Sequence, residues 1–345
     1  MSMKNNKYLF YISQNYSFEI LRPLQQEIIK QGSKVAWFVA GDEVELNNFH
    51  AEEVVLNTVD DVIAFNPIAS FVPGNIIPRF IPGIKVQVFH GLEWKKKGHF
   101  VIRDCFDLYC THGKSTTTRF KELAEKHQFF DVKETGWPKL DNLFNTPKEQ
   151  YFSNNKPTIL FAPTFSPSLT SAPYLYEEIT ALVNEKKYNW LVKFHPKMDE
   201  KWVELYSQLS CDNLKIIASA NINSLLQSAD IMLSDTSSVI GEFALLGKPV
   251  ISLNNSQPGN YLINITEAKA LPRAVEAALS PTQTLIAAIN RYATDLHPYN
   301  DGLSSLRILK AVEDIQSNGK QSLKPLPRNI IRNLKQRKKL NYWRL

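Results

Sequence analysis

Short runs of consecutive apolar, β-prone residues recur along this chain, separated by amphipathic stretches, and this rhythm constrains the fold more than any other feature. KYLFYIS (7–13) reads as a first strand and SFEILRPLQQEIIKQG (17–32) as a helix closed by Gly32. KVAWFVA (34–40), EVVL (53–56), IASFVPG (68–74), KVQVFHG (85–91) and LYCTHG (108–113) follow as strands. Strands that are apolar on successive residues have both faces covered, as in a sheet sandwiched between helices. Strand, helix, strand in regular succession therefore predicts an α/β chain with a parallel, doubly wound sheet.

The rhythm breaks at NLFNTPKEQYFSNNKP (142–157), rich in Asn, Pro and Ser, and then restarts. PTILFAPT (157–164), NWLVKFHP (189–196), LKIIAS (214–219), ADIMLSD (229–235) and KPVISLNN (248–255) read as a second set of strands. The expectation is two Rossmann-like domains of the layout called GT-B with a cleft between them, residues 1–145 and 156–319, followed by a basic tail, 320–345. One large continuous α/β domain is the alternative. GLSSLRILKAVEDIQ (302–316) reads as a late helix that crosses back onto the first domain.

A length of 345 residues suits two cores of roughly 150 residues each. Hydrophobic residues at 43% and charged residues at 21% argue against disordered, collagen-like and coiled-coil chains. Cys105, Cys110 and Cys211 lack metal-ligand spacing and read as apolar fillers in a reducing compartment. The opening MSMKNNKYLFYIS is too short and polar for a signal peptide, and no run approaches a membrane span, so a cytoplasmic location is expected. The net charge of +6 is uneven: residues 320–345 carry nine basic side chains and no acidic one, which leaves the preceding chain at about −3. A mildly acidic body argues against nucleic-acid binding.

In doubly wound folds ligands collect at the carboxyl ends of strands, where this chain sets His90-Gly91, Pro163-Thr164, His195-Pro196 and Asp235-Thr236-Ser237-Ser238. Thr236, Ser237 and Ser238 form a turn opening a helix through Glu242, so its free N–H groups and hydroxyls suit a phosphate. Glu242, about a turn further on, is placed to accept ribose hydroxyls. A cap that merely starts the helix is the other reading. His195 beside such a site can donate to a phosphoryl oxygen, and the imidazole of His90 is a side chain suited to take a proton from an attacking hydroxyl. Lys95, Lys96 and Lys97 gather an anionic substrate or form a solvated run.

These fragments, with Thr135-Gly136-Trp137-Pro138-Lys139-Leu140-Asp141, Ala162-Pro163-Thr164-Phe165, Lys193-Phe194-His195-Pro196, Lys248-Pro249 and Asn300-Asp301-Gly302 with Arg307, carry a resemblance. In this order, over roughly residues 85–310, the chain resembles the CDP-glycerol glycerophosphotransferase family, the TagB and TagF type enzymes of teichoic-acid synthesis. The resemblance implies a GT-B fold, a CDP-alcohol donor such as CDP-glycerol, a lipid-linked or saccharide acceptor, and neither cofactor nor metal. It assigns His90 and His195 to catalysis and Gly91, Thr164, Asp235, Thr236, Ser237, Ser238 and Glu242 to the donor. Lys95, Lys139, Asp141 and Arg307 are expected at the acceptor or another anion. Glu242 stands where the family usually has Asp.

The rival readings are a nucleotide-sugar glycosyltransferase, a UDP-N-acetylglucosamine 2-epimerase relative, and a non-catalytic nucleotide-binding scaffold. NIIRNLKQRKKLNYWRL (329–345) places Ile330, Ile331 and Leu334 on one helical side among cationic residues, with Leu340, Trp343 and Leu345 beyond. It suits an interfacial helix on the anionic inner face of a membrane, which predicts peripheral association; a disordered tail or a segment docked on the body are the alternatives.

Overall fold

The computed structural model describes residues 5–92, 98–218, 221–318 and 323–344. The chain divides into two units, Met1–Phe144 with Leu296–Leu345, and Asn145–Asp295. The first holds strands β1 (Lys7–Ile12), β2 (Lys34–Val39), β3 (Val55–Leu56), β4 (Ala69–Val72), β5 (Ile84–Gln87), β6 (Leu108–Thr111) and β7 (Asp131–Glu134). They lie in the order β3-β2-β1-β4-β5-β6-β7, every pair parallel. Every residue of β4 and β6 is buried, as expected for strands that helices cover on both faces.

The second unit holds β8 (Thr158–Phe161), β9 (Asn189–Val192), β10 (Leu214–Ile216), β11 (Ile231–Ser234), β12 (Val250–Leu253) and β13 (Leu262–Ile265). Their order is β10-β9-β8-β11-β12-β13, again wholly parallel. Trp190, Phe161 and Tyr206, all fully buried, anchor its core. Burying side chains of this size contributes about 1.5–3 kcal/mol each, which fixes the strand ends that carry the polar groups. In each unit strand order reverses once, between β1 and β4 and between β8 and β11, and such a reversal opens a crevice at the carboxyl ends.

Three features differ from the sequence reading. Strands β7 (DVKE) and β13 (LINI) were not expected; each is an edge strand, half exposed, and lacks the continuous apolar run that marked the others. The late helix crosses back onto the first unit as expected, Ser304–Asn318 packing on Ser17–Lys30, but the second unit ends at Asp295 and not at residue 319. The basic tail is likewise part of the first unit. Its helix Ile330–Lys339 is flanked by Leu326, Leu340 and Tyr342, which pack against that unit's core.

Candidate active site

At the carboxyl edge of the second unit, β9, β8 and β11 end side by side in His195, Thr164 and Thr236. Two strand spacings separate the outer pair, about 10 Å. Asp235 organises this edge. Its buried carboxylate accepts from Thr164 N at 3.0 and 3.1 Å, Ser171 N at 2.8 Å, Ser171 Oγ at 2.9 Å and Thr236 N at 2.7 Å. Burial pushes the carboxyl above its ordinary range while these donors oppose the shift. Asp235 thus ties the β8 and β11 turns together and does not reach outward, which corrects its expected place among the donor contacts.

The hydroxyls beyond it are better placed. Thr236 Oγ1 accepts from Ser256 N at 3.1 Å and keeps its own proton for donation. Ser237 is half-buried and Ser238 exposed. Ser238 forms no side-chain cap, and the helix it opens, Val239–Ala244, has only six residues. In so short a helix it is the hydroxyls and the backbone N–H groups of the turn that can meet a phosphate. Glu242 is buried within this short helix.

His195 is exposed, its ring stacked on Phe165 with centroids 4.4 Å apart. Its Nδ1 accepts from Lys197 N at 3.0 Å, which places the imidazole proton on Nε2. Partial burial, and then the Lys197 ammonium, hold its pKa below the ordinary value and favour this neutral form.

At the carboxyl edge of the first unit His90 follows β5 but leans over the β1–β4 reversal. Its ring stacks on Tyr16, beyond β1, at 5.3 Å, and its Nδ1 lies 3.3 Å from Pro73 O, beyond β4. A carbonyl oxygen only accepts, so Nδ1 carries the proton and Nε2 presents a lone pair. Gly91 is half-buried, and a Cβ built there meets nothing within 4 Å.

Other residues expected at the site have protein partners within the first unit. Asp141, 5% exposed, accepts from Ser304 N and Ser305 N at 2.7 Å each and caps the helix Ser304–Asn318. Arg307 forks Asp301, with Nη1 at 3.1 Å from Oδ1, and lies 3.8 Å over the Tyr299 ring. Lys139 pairs with Glu19 at 3.3 Å beside Trp137. Asp141 and Arg307, expected at the acceptor or another anion, thus also hold protein partners within the first unit. Lys95, Lys96 and Lys97 lie outside the described residues. Sequence reasoning missed Tyr16 and Phe165. Tyr16 stands just past β1, where the reversal rule points, and Phe165 closes the Ala162-Pro163-Thr164-Phe165 fragment. Among the described residues no group of three His, Cys, Asp or Glu is arranged to hold a metal ion.

The model of a family described as CDP-glycerol:poly(glycerophosphate) glycerophosphotransferase matches residues 102–314. The teichoic acid glycerol-phosphate primase of Bacillus subtilis (strain 168) is 25% identical over 273 residues, 67% of this chain and 68% of that protein. The teichoic acid poly(ribitol-phosphate) polymerase of Bacillus spizizenii is 35% identical over 134 residues, 34% of this chain and 21% of the polymerase. Among solved structures, the wall teichoic acid polymerase TagF matches with a TM-score of 0.60 at 15% identity, over 91% of this chain and 90% of its own. A putative UDP-N-acetylglucosamine 2-epimerase from Listeria monocytogenes matches with a TM-score of 0.67, also at 15% identity, over 93% and 99%. At such identity these likenesses show the fold alone, the two-sheet α/β architecture of GT-B-like proteins.

Proposed function

The chain belongs to the CDP-glycerol:poly(glycerophosphate) glycerophosphotransferase family and is an enzyme of that kind; from that premise we propose how it moves a polyol phosphate, in the simplest case glycerol phosphate, from a CDP-activated donor to an acceptor hydroxyl. The acceptor oxygen attacks the phosphorus that bears the polyol. Its proton passes to His90 Nε2, the bridging P–O bond breaks, and CMP leaves. His195 Nε2–H and the hydroxyls of Thr236, Ser237 and Ser238 donate to the diphosphate oxygens as charge spreads over them. Glu242 takes the ribose, Gly91 and the Thr164 turn leave room for the substrate, and Lys95 and Lys139 supply positive charge on the acceptor side. The acceptor is a cell-surface glycopolymer or its lipid-linked form.

The observation that carries this reading is the opposite tautomers of the two histidines. His90 turns a lone pair outward because Nδ1 donates to Pro73 O, and His195 turns an N–H outward because Nδ1 accepts from Lys197 N. One side chain is thus prepared to take a proton and the other to give a hydrogen bond. The experiment is CMP release from CDP-glycerol and CDP-ribitol by purified protein with a saccharide or lipid-linked acceptor. UDP release from a UDP-sugar, without CMP release, would instead support the glycosyltransferase or epimerase alternatives.

Peripheral attachment to the inner membrane face completes the proposal. Ile330, Ile331, Leu334 and Trp343 are 50–72% exposed on the docked tail, amid its cationic side chains. The tail packs on the connections between β4 and β5 and between β5 and β6: Tyr342 meets Phe80 at 4.9 Å, and Asn329 donates to Asp104 at 3.2 Å. Anionic lipid under this helix would bring a lipid-linked hydroxyl toward the first unit. Among the described residues no helix is long and apolar enough to cross a membrane. Flotation with anionic liposomes tests the attachment, and failure to float would refute it.

A further inference from the structure

We infer that Trp137 and His297 are positioning residues for His90, the end of a contact chain that begins at the Asp301–Arg307 ion pair. The inference rests on the reading of His90 as the base. Phe89, immediately before His90, adopts φ +59°, a left-handed backbone that an aromatic L-residue takes only when its surroundings enforce it. That kink turns His90 out of line with β5 and over Tyr16 and Pro73.

Two sets of contacts hold the kink. The Phe89 ring, 3% exposed, is enclosed by His99 at 5.2 Å, His112 at 5.4 Å and Phe120 at 5.2 Å. Its carbonyl accepts from Trp137 Nε1 at 3.4 Å. Trp137 is fixed in turn. Its backbone N–H donates to His297 Nε2 at 2.9 Å, and His297 Nδ1 donates to Tyr299 O at 2.7 Å. The Arg307 guanidinium lies over the Tyr299 ring at 3.8 Å and is oriented by Asp301. Gly136 admits this arrangement: a Cβ there would stand 2.7 Å from His297 Nε2.

Two fragments separated by some 160 residues, Thr135-Gly136-Trp137-Pro138 and Asn300-Asp301-Gly302 with Arg307, are thereby joined into one support for the same imidazole. His297 acts only as a neutral Nδ1–H tautomer, because a proton on Nε2 would face the Trp137 N–H. Among the described residues the titratable groups that face His90 are Tyr16, His99 and His112.

The test combines NMR of histidine-labelled protein with steady-state kinetics on Trp137→Phe and on a protein carrying benzothienylalanine at 137, which keeps the indole shape and removes the N–H. The expected result in both is a loss of the single Nδ1–H tautomer of His90 and a shifted ionisation, with kcat down roughly tenfold and donor KM within about twofold. His297→Gln, which supplies an acceptor and a donor, should retain more activity than His297→Leu. Unchanged His90 signals and kcat in the folded benzothienylalanine protein overturn the inference. If wild-type protein transfers no polyol phosphate but the His90 signals still move, the positioning chain stands and the proposed reaction falls.

Discussion

Gly136→Ala is expected to damage the first unit severely, and the magnitude follows from two separate costs. The backbone there has φ +80°, and an L-residue in that region costs about 1–2 kcal/mol relative to glycine. The new Cβ would lie 2.5 Å from Ser304 Oγ and 2.7 Å from His297 Nε2, so His297 must move and the buried Trp137 N–H loses its acceptor. Leaving that donor unpaired adds about 1–3 kcal/mol, for a total of roughly 2–5 kcal/mol. With a urea dependence of about 2 kcal/mol per M, the midpoint should fall by roughly 1–2.5 M. Urea unfolding followed by circular dichroism, with the fluorescence of the buried Trp37 and Trp137 as reporter of this unit, measures it. Gly91→Ala is the control, since a Cβ at Gly91 meets nothing within 4 Å and its midpoint should stay near wild type. Equal midpoints for Gly136→Ala and wild type would refute the steric argument.

Other outcomes follow from the same contacts. Burial lowers His297 to about 4 from its ordinary 6.5, so the unfolded chain binds the proton more readily and stability is lost as pH falls from 6.5 through 4. The loss is about 3 kcal/mol, and His297→Gln should flatten this part of a stability-against-pH curve; an unflattened curve would contradict it. Asp141→Ala removes the cap on Ser304 N and Ser305 N and should cost about 2 kcal/mol in urea unfolding while leaving the acceptor KM unchanged; a raised KM with normal stability would restore the substrate-contact reading. Ile331→Glu with Trp343→Glu should reduce flotation with anionic liposomes at least tenfold without altering turnover on a soluble acceptor, because both side chains are more than half exposed.

Continuous apolar runs made the central strands legible. KYLFYI and IMLS can be apolar on consecutive residues only where helices cover both faces of the sheet. The edge strands DVKE and LINI, half exposed, bear no such mark. At the candidate site the strand-end positions of His90, His195 and Thr236–Ser238 follow from the rule that ligands collect at the carboxyl ends of parallel strands, and were readable. The tasks of Asp235, Asp141 and Arg307 were not. A carboxylate or guanidinium in sequence does not reveal whether its partners are substrate atoms or backbone N–H groups dozens of residues away. Asp235 meets Thr164 and Ser171, and Asp141 meets Ser304 and Ser305. Phe89 was invisible for a related reason: nothing in VFHG announces a left-handed phenylalanine, which exists because distant Trp137 and an aromatic cage hold it.

The most direct test of the account is single-turnover CMP formation from CDP-glycerol by wild-type protein, His90→Gln, His195→Ala and the double variant, each checked for native unfolding. Both histidines serve one transfer step in this account, so each single variant should lose at least about a hundredfold, and the double should lose much less than the product of the two. Either folded single variant turning over at the wild-type rate would contradict the central claim.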